Sequence, residues 1–195
     1  MTNKKEKTRE YILEKSYRLF SKTGFKQVTM KDICEATGLS RGGLYSHFSS
    51  TNEVFEALLE KMSADDEFNI DEEIKNGKSA TDILNASLTR MRKEIENPKD
   101  SLSIAIYEYA QMADSKEIVR LNRRAEEKWS RLICYGIERG EFKKVDVNEI
   151  VTIILYSYQG VRMWNKIMPL KKNTITQIIN NIKKQLIVSK QEGNR

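Results

Sequence analysis

Apolar residues along the chain recur every three or four positions, and each run is bounded by a residue that caps or stops a helix. Ile12, Leu13, Ser16, Tyr17 and Phe20 form one stripe that ends near Gly24. Thr29 to Asp32 has capping-box spacing and opens a short helix that stops at Gly38. Ser40 stands where it can cap the next one. Ser50 to Glu53 is another capping box, ahead of Val54, Phe55, Leu58, Leu59 and Met62. The same spacing recurs at Ser79–Asp82, Asp146–Glu149 and Thr174–Gln177, and Pro98 and Pro169 fall where two long helices should end. No run alternates apolar and polar residues as a half-buried strand would. The pattern predicts an all-α chain of about nine helices, over 5–23, 29–36, 40–47, 51–66, 79–97, 100–113, 115–139, 146–168 and 173–190. The acidic stretch 63–79 marks a soft boundary between a small head and a larger body.

Composition narrows the class without changing the pattern. Hydrophobic residues at 39% and charged residues at 32% suit an ordinary soluble chain, and 195 residues are enough for a sizeable core. The longest strongly apolar run, 150–158, is too short to span a bilayer. No apolar segment follows the lysines at the start, so neither a secretory signal nor a membrane location is expected, and the chain reads as cytoplasmic. Cys34 and Cys134 stand alone. They read as buried free thiols, with a redox sensor or a disulfide as the alternative. One histidine and no cysteine cluster make a metal site unexpected, and nothing calls for a cofactor. The net charge of +6 is uneven. Residues 1–48 hold ten Lys and Arg against five Asp and Glu, residues 61–75 two against six, and the last 25 residues six against one. A basic leading block points to a polyanionic partner, or else to a plain solvated lysine face.

The stretch GLSRGGLYSHF, 38–48, separates these possibilities. Each glycine inside a helix costs about 1 kcal/mol relative to alanine, yet Gly42 and Gly43 stand together at a helix start. A short helix, a tight turn and a second short helix make a helix-turn-helix, whose second helix lays its first residues on base edges in the major groove. Small residues there let the backbone approach the bases, and Arg41 beside them can reach guanine O6 and N7 with two donors.

Residues 12–60 resemble the TetR-type transcriptional regulators, through Gly24-Phe25, Thr29-Met30, Ile33-Cys34, Gly38-Leu39-Ser40 and Leu44-Tyr45-Ser46-His47-Phe48. YGIERGEF, 135–142, is similar to the glycine-containing end of that family's seventh helix. The resemblance implies a three-helix DNA-binding head over 1–50 and a helical effector-binding and dimerisation body over 51–195. It further implies that Arg41, Gly42 and Gly43 face bases, while Thr29, Tyr45, Ser46 and His47 hold phosphates. His47 could instead pack against the first helix. Where the family pattern has Lys at the start of the fourth helix, this chain has Thr51, which keeps a hydroxyl and loses the charge; Lys4, Lys5, Lys7 and Lys26 are candidates to replace it.

In the body, the segment 146–168 is apolar on two faces. Ile154, Tyr158 and Gly160, with Ile178, Ile182 and Leu186 of the last helix, are expected to form a four-helix seam between two protomers. Two heads would then read the half-sites of a pseudo-palindromic double-stranded operator. Met91, Tyr107, Met112, Trp129, Tyr156 and Met163, with Glu108 and Gln159 among them, suggest as a group an apolar pocket with polar anchors, although each alone reads better as plain core. Glu108 could face a cationic ligand or pair with Arg90 or Arg92. The expected function is a homodimeric repressor released from DNA by a small lipophilic effector. The alternative is a DNA-binding protein whose body binds another protein. An enzyme is not expected, since no nucleophile–base set surrounds the single histidine.

Overall fold

The computed structural model describes residues 4–64, 69–97, 101–112 and 116–188. Ten helices lie among them: α1 (Lys4–Thr23), α2 (Met30–Thr37), α3 (Arg41–Tyr45), α4 (Thr51–Ala64), α5 (Ile70–Lys75), α6 (Ala80–Glu96), α7 (Ser103–Met112), α8 (Lys116–Glu138), α9 (Val147–Ile167) and α10 (Thr174–Leu186). The described residues hold no strand, only one isolated bridge between Phe142 and Ile187. Pro98, the C-terminal end of the basic tail and the outer ends of several expected helices lie outside the described residues.

The expected caps are made at Thr29, Ser40, Ser50, Ser79 and Asp146, each of whose side chains accepts a backbone N–H three residues on. The cap expected at Thr174 is not. There Asn173 takes the cap position without a side-chain bond, and Thr174 is already helical. The helix that pattern reading passed over is α5. Its first turn is Asp71, Glu72 and Glu73, which reads as a charged linker but suits the positive end of a helix dipole. Asn69 caps it, and Ile70 anchors it in a core.

The described residues fall into two compact units. The first contains α1–α4, α7 and the first turns of α8; the second contains α5, α6, the rest of α8, α9 and α10. The helix-turn-helix motif ends near residue 50, but its compact unit does not. Val54, Phe55, Leu58 and Leu59 of α4 and Leu102, Ala105 and Tyr109 of α7 complete a core begun by Ile12, Phe20, Ile33 and Leu44. Three helices of a fifty-residue head bury too little apolar surface by themselves. The second unit packs Ile83, Leu84, Leu88, Leu132, Ile133, Ile154, Ile182 and Leu186 around Trp129 and Phe142. No described helix is long and apolar enough to cross a membrane.

Candidate nucleic-acid interface

The turn between α2 and α3 needs a left-handed residue, and Gly38 supplies it with φ of 71° while its N–H closes α2 on the Cys34 carbonyl. Leu39 and Ser40 follow, and Ser40 Oγ accepts the Gly43 N–H at 3.1 Å to start α3. Leu44, fully buried, fixes which side of α3 faces the core. Arg41, Gly42, Tyr45 and Ser46 are left exposed. The two glycines differ. A Cβ on Gly43 would meet Ser40 Oγ at 3.3 Å, so that glycine also accommodates the cap. A Cβ on Gly42 would meet no protein atom within 4 Å. No described residue requires glycine at position 42.

The expected phosphate contacts are less uniform. Thr29 Oγ donates its proton to Asp32 Oδ2 at 2.6 Å, and the Thr29 N–H reaches the same oxygen at 2.8 Å. A phosphate oxygen only accepts, so in this arrangement the Thr29 hydroxyl has no proton left for one, and the α2 N-terminus already faces the Asp32 carboxylate. The hydroxyl and N–H of Thr29 hold the Asp32 carboxyl below its ordinary range. Ser46 Oγ donates to the Gly43 carbonyl at 2.7 Å. His47 is half-buried, with Nδ1 enclosed and unpartnered, which leaves Nε2 for any outward contact. Thr51, also half-buried, opens α4. Lys26 Nζ bonds Gln111 at 3.2 Å, while Lys4 and Lys7 are exposed on the first turn of α1.

Two side chains hold the segment that follows α3: Arg9, which the pattern did not single out, and Glu53, expected only as the end of a capping box. Arg9 donates from Nη1 to the His47 carbonyl at 3.0 Å and lies 4.1 Å above the Phe48 ring. Glu53 Oε2 accepts the Ser49 N–H at 2.7 Å and its hydroxyl at 2.8 Å, which holds that carboxyl below its ordinary range. A signal for Arg9 was present: it continues the buried stripe of Ile12, Ser16 and Phe20 at helical spacing, where a charge needs a partner.

The body corrects several expectations. Tyr107, Met112, Tyr156 and Gln159 are exposed, Met163 is half-buried, and Trp129 is buried in the second core. Glu108 belongs to the first unit, where its carboxylate accepts the Lys26 N–H at 2.9 Å and fills the space a side chain at Gly24 would need. Arg90 instead bonds Glu94, and Arg92 bonds Thr176. A cavity of about 20 Å³ lies between α6, α9 and α10, lined by residues that include Leu88, Met91, Arg92, Ile154, Tyr158 and Ile182. Of the expected pocket residues it takes Met91 alone, and it has room for about one water. Most residues expected at the seam have partners within their own unit. Ile154, Ile182 and Leu186 are buried in their own unit, Ile178 lines the cavity and the Tyr158 hydroxyl donates to Glu94. What α9 leaves exposed is Tyr156, Trp164 and Ile167, with Met168 just beyond, while space over Gly160 is open. Cys34 is half-buried and Cys134 exposed, so neither is the buried thiol expected.

A capped α2–Gly38–α3 unit, with an exposed arginine and an open glycine leading a helix whose other side is core, is a helix-turn-helix DNA-binding head. Residues 12–58 match the model of the bacterial regulatory proteins of the tetR family, and residues 77–167 match the tetracyclin repressor-like C-terminal domain. The chain is 33% identical over 146 residues to YfiR of Bacillus subtilis strain 168, an uncharacterized HTH-type transcriptional regulator, spanning 72% of this chain and 71% of that one. A 26% match to YerO of the same organism, also an uncharacterized HTH-type regulator, spans 85% of this chain and 58% of YerO. The crystal structure of a TetR-family transcriptional regulator from Agrobacterium tumefaciens superposes with a TM-score of 0.78 at 14% identity, over 94% of this chain and all of that one, a likeness of fold. The chain belongs to the tetR family of bacterial regulatory proteins. It is a DNA-binding transcriptional regulator.

Proposed function

We propose that the protein is a homodimeric repressor that reads a pseudo-palindromic operator through α3 and is released from it by a small lipophilic effector. The observation that carries the reading is Gly42: a helix position where the protein leaves room that no residue of its own uses. Arg41 specifies a guanine, Gly42 and Gly43 admit the duplex, and Tyr45, the outward nitrogen of His47 and Thr51 orient the head on phosphates, while the Ser46 hydroxyl, like that of Thr29, has given its proton inside the head. The effector enters between α6, α9 and α10, where Leu88, Met91 and Ile154 supply apolar lining and Arg92 and Tyr158 the polar groups. Because the cavity there holds about one water, entry requires those helices to part. The effector then releases DNA only by favouring an arrangement that fits the operator poorly, and a coupling of about 1–3 kcal/mol corresponds to a 5- to 150-fold loss of affinity.

Two substitutions test the DNA reading. Gly42→Ala should fold at least as well as the parent, since alanine is favoured in a helix by up to about 1 kcal/mol and meets no neighbour. Its affinity for an operator recovered by selection from random DNA should fall nonetheless. Arg41→Ala should lose discrimination at one base pair per half-site by about 1–3 kcal/mol. Unchanged operator binding by both variants would remove α3 from the interface.

A further inference from the structure

We infer that Arg9 is a positioning residue for base recognition: from α1 it holds the His47–Phe48 segment that follows α3 and so sets the angle at which Arg41 and Tyr45 meet the duplex. The inference rests on the reading of α3 as the DNA-reading helix. At five residues, α3 is under two turns long, too short to fix its own direction. Its start is held by Ser40 and its middle by Leu44. The carbonyls of Gly42, Gly43 and Leu44 are already taken by Ser46, His47 and Phe48, so what remains to be fixed is the segment that follows the helix. Arg9 fixes that segment: its Nη1 donates to the His47 carbonyl at 3.0 Å, and its guanidinium lies 4.1 Å above the buried Phe48 ring. The planar fork makes both contacts at once, which an ammonium on a flexible stem would not reproduce.

The surroundings tie this contact to α4 as well. Glu53 on α4 closes the Ser49 turn through two hydrogen bonds, and the Arg9 charge lies within electrostatic reach of that carboxylate. One guanidinium thus touches the segment after α3 and lies within electrostatic reach of Glu53 on α4. Lys4 and Lys7 on the preceding turn of α1 are exposed and free to face a polyanion, whereas Arg9 is half-buried and directed inward. A basic residue at the head of α1 would otherwise be assigned to a phosphate. The geometry assigns it to the protein.

The test uses the full chain and an operator selected from random DNA, with Arg9→Met, Arg9→Lys and Arg41→Ala measured together. Arg9→Met keeps apolar cover over Phe48 and removes the donor. It should weaken operator binding about tenfold, the size of one lost charge-assisted hydrogen bond, while binding to random DNA and the salt slope stay as in the parent. Arg9→Lys keeps a donor and should recover part of the loss. Equal loss on both DNAs with a slope shallower by about 0.9 per contact would make Arg9 a phosphate ligand and overturn the inference. So would parent-like operator affinity in Arg9→Met. If Arg9→Met unfolds in the thermal scan, Arg9→Lys must show the same split between operator and random DNA, and its absence overturns the inference. Arg41→Ala separates the two readings: a parent-like preference there means that α3 does not read bases, and the inference falls with that reading.

Discussion

Phe20, Phe25, Phe55 and Tyr109 meet ring to ring in the first unit, with centroids 4.8 to 5.9 Å apart. The second unit is built mainly of isoleucine and leucine around Trp129 and Phe142, and it retains the cavity between α6, α9 and α10. Flat rings with two side-chain torsions and preferred edge-to-face geometry fill space in few ways. Branched aliphatic chains around a void have more rearrangements of similar energy. The contrast suits the proposed roles: a unit that presents a short helix at a fixed angle, and a unit that accepts more than one arrangement of its helices.

The contrast is broken or sharpened most strongly by removing a ring. Phe55→Ala should cost about 3–5 kcal/mol, because Phe55 contacts three other rings and has no solvent to replace them. The chain's two tryptophans, Trp129 and Trp164, both lie in the second unit, so fluorescence follows that unit while hydrogen exchange follows α1–α4 and α7. Phe55→Ala should speed exchange in the first unit and leave the fluorescence transition near its parent position. A fluorescence transition displaced by the full amount would mean that the two cores unfold as one.

A smaller effect is expected on the outer face of the second unit. Trp164→Ala should weaken the homodimer by about 2 kcal/mol, the cost of a central aromatic anchor, or about thirtyfold in dissociation constant by analytical ultracentrifugation. The basis is the exposure of Trp164 beside Tyr156 and Ile167 on α9. Ile154→Ala, in contrast, should lower the thermal midpoint and leave the dissociation constant of the folded dimer alone. The opposite pattern would return the interface to the inward residues named from pattern.

The head was the more legible region because its signals are local. Capping boxes act over three residues, Gly38 turns the chain within one, and Leu44 alternates with Tyr45 to declare the inner and outer sides of α3. In the body, periodicity showed α9 to be apolar on two faces but not which face its own unit would cover. That choice depends on Leu88, Ile179 and Ile182, far away in sequence, and it assigned Ile154 to the core and Tyr156 to the surface. The contact that Glu108 makes was hidden for a similar reason. Its partner, the Lys26 N–H, lies 82 residues back and belongs to a backbone group with no side-chain signature. α5 was hidden by its own charges, which serve a helix start there.

The smallest expected effect is a pH response of the first unit. Asp32 and Glu53 each have their carboxyl held below the ordinary range, Asp32 by the hydroxyl and N–H of Thr29, Glu53 by the N–H and hydroxyl of Ser49. A carboxylate whose folded value is depressed adds stability that is fully present above its unfolded value. That stability is lost as pH falls through the ordinary carboxylate range toward the folded value. The first unit should therefore lose protection against hydrogen exchange progressively below about pH 5. Both groups face solvent, so screening keeps the loss small. Asp32→Asn with Glu53→Gln retains an acceptor for each N–H and removes both titrations. The double variant should be less stable than the parent at pH 7 and respond less to acid, so that the two curves approach each other as pH falls. Glu141 is the counterpart in the second unit: burial raises it, but hydrogen bonds from Arg139 and from Thr81 and its neighbour prevail and lower it. Its contribution has the same sign and is read by fluorescence, which the double substitution should leave unaltered. Curves that diverge toward acid would show that the two carboxylates are not the groups protonated when the head loosens.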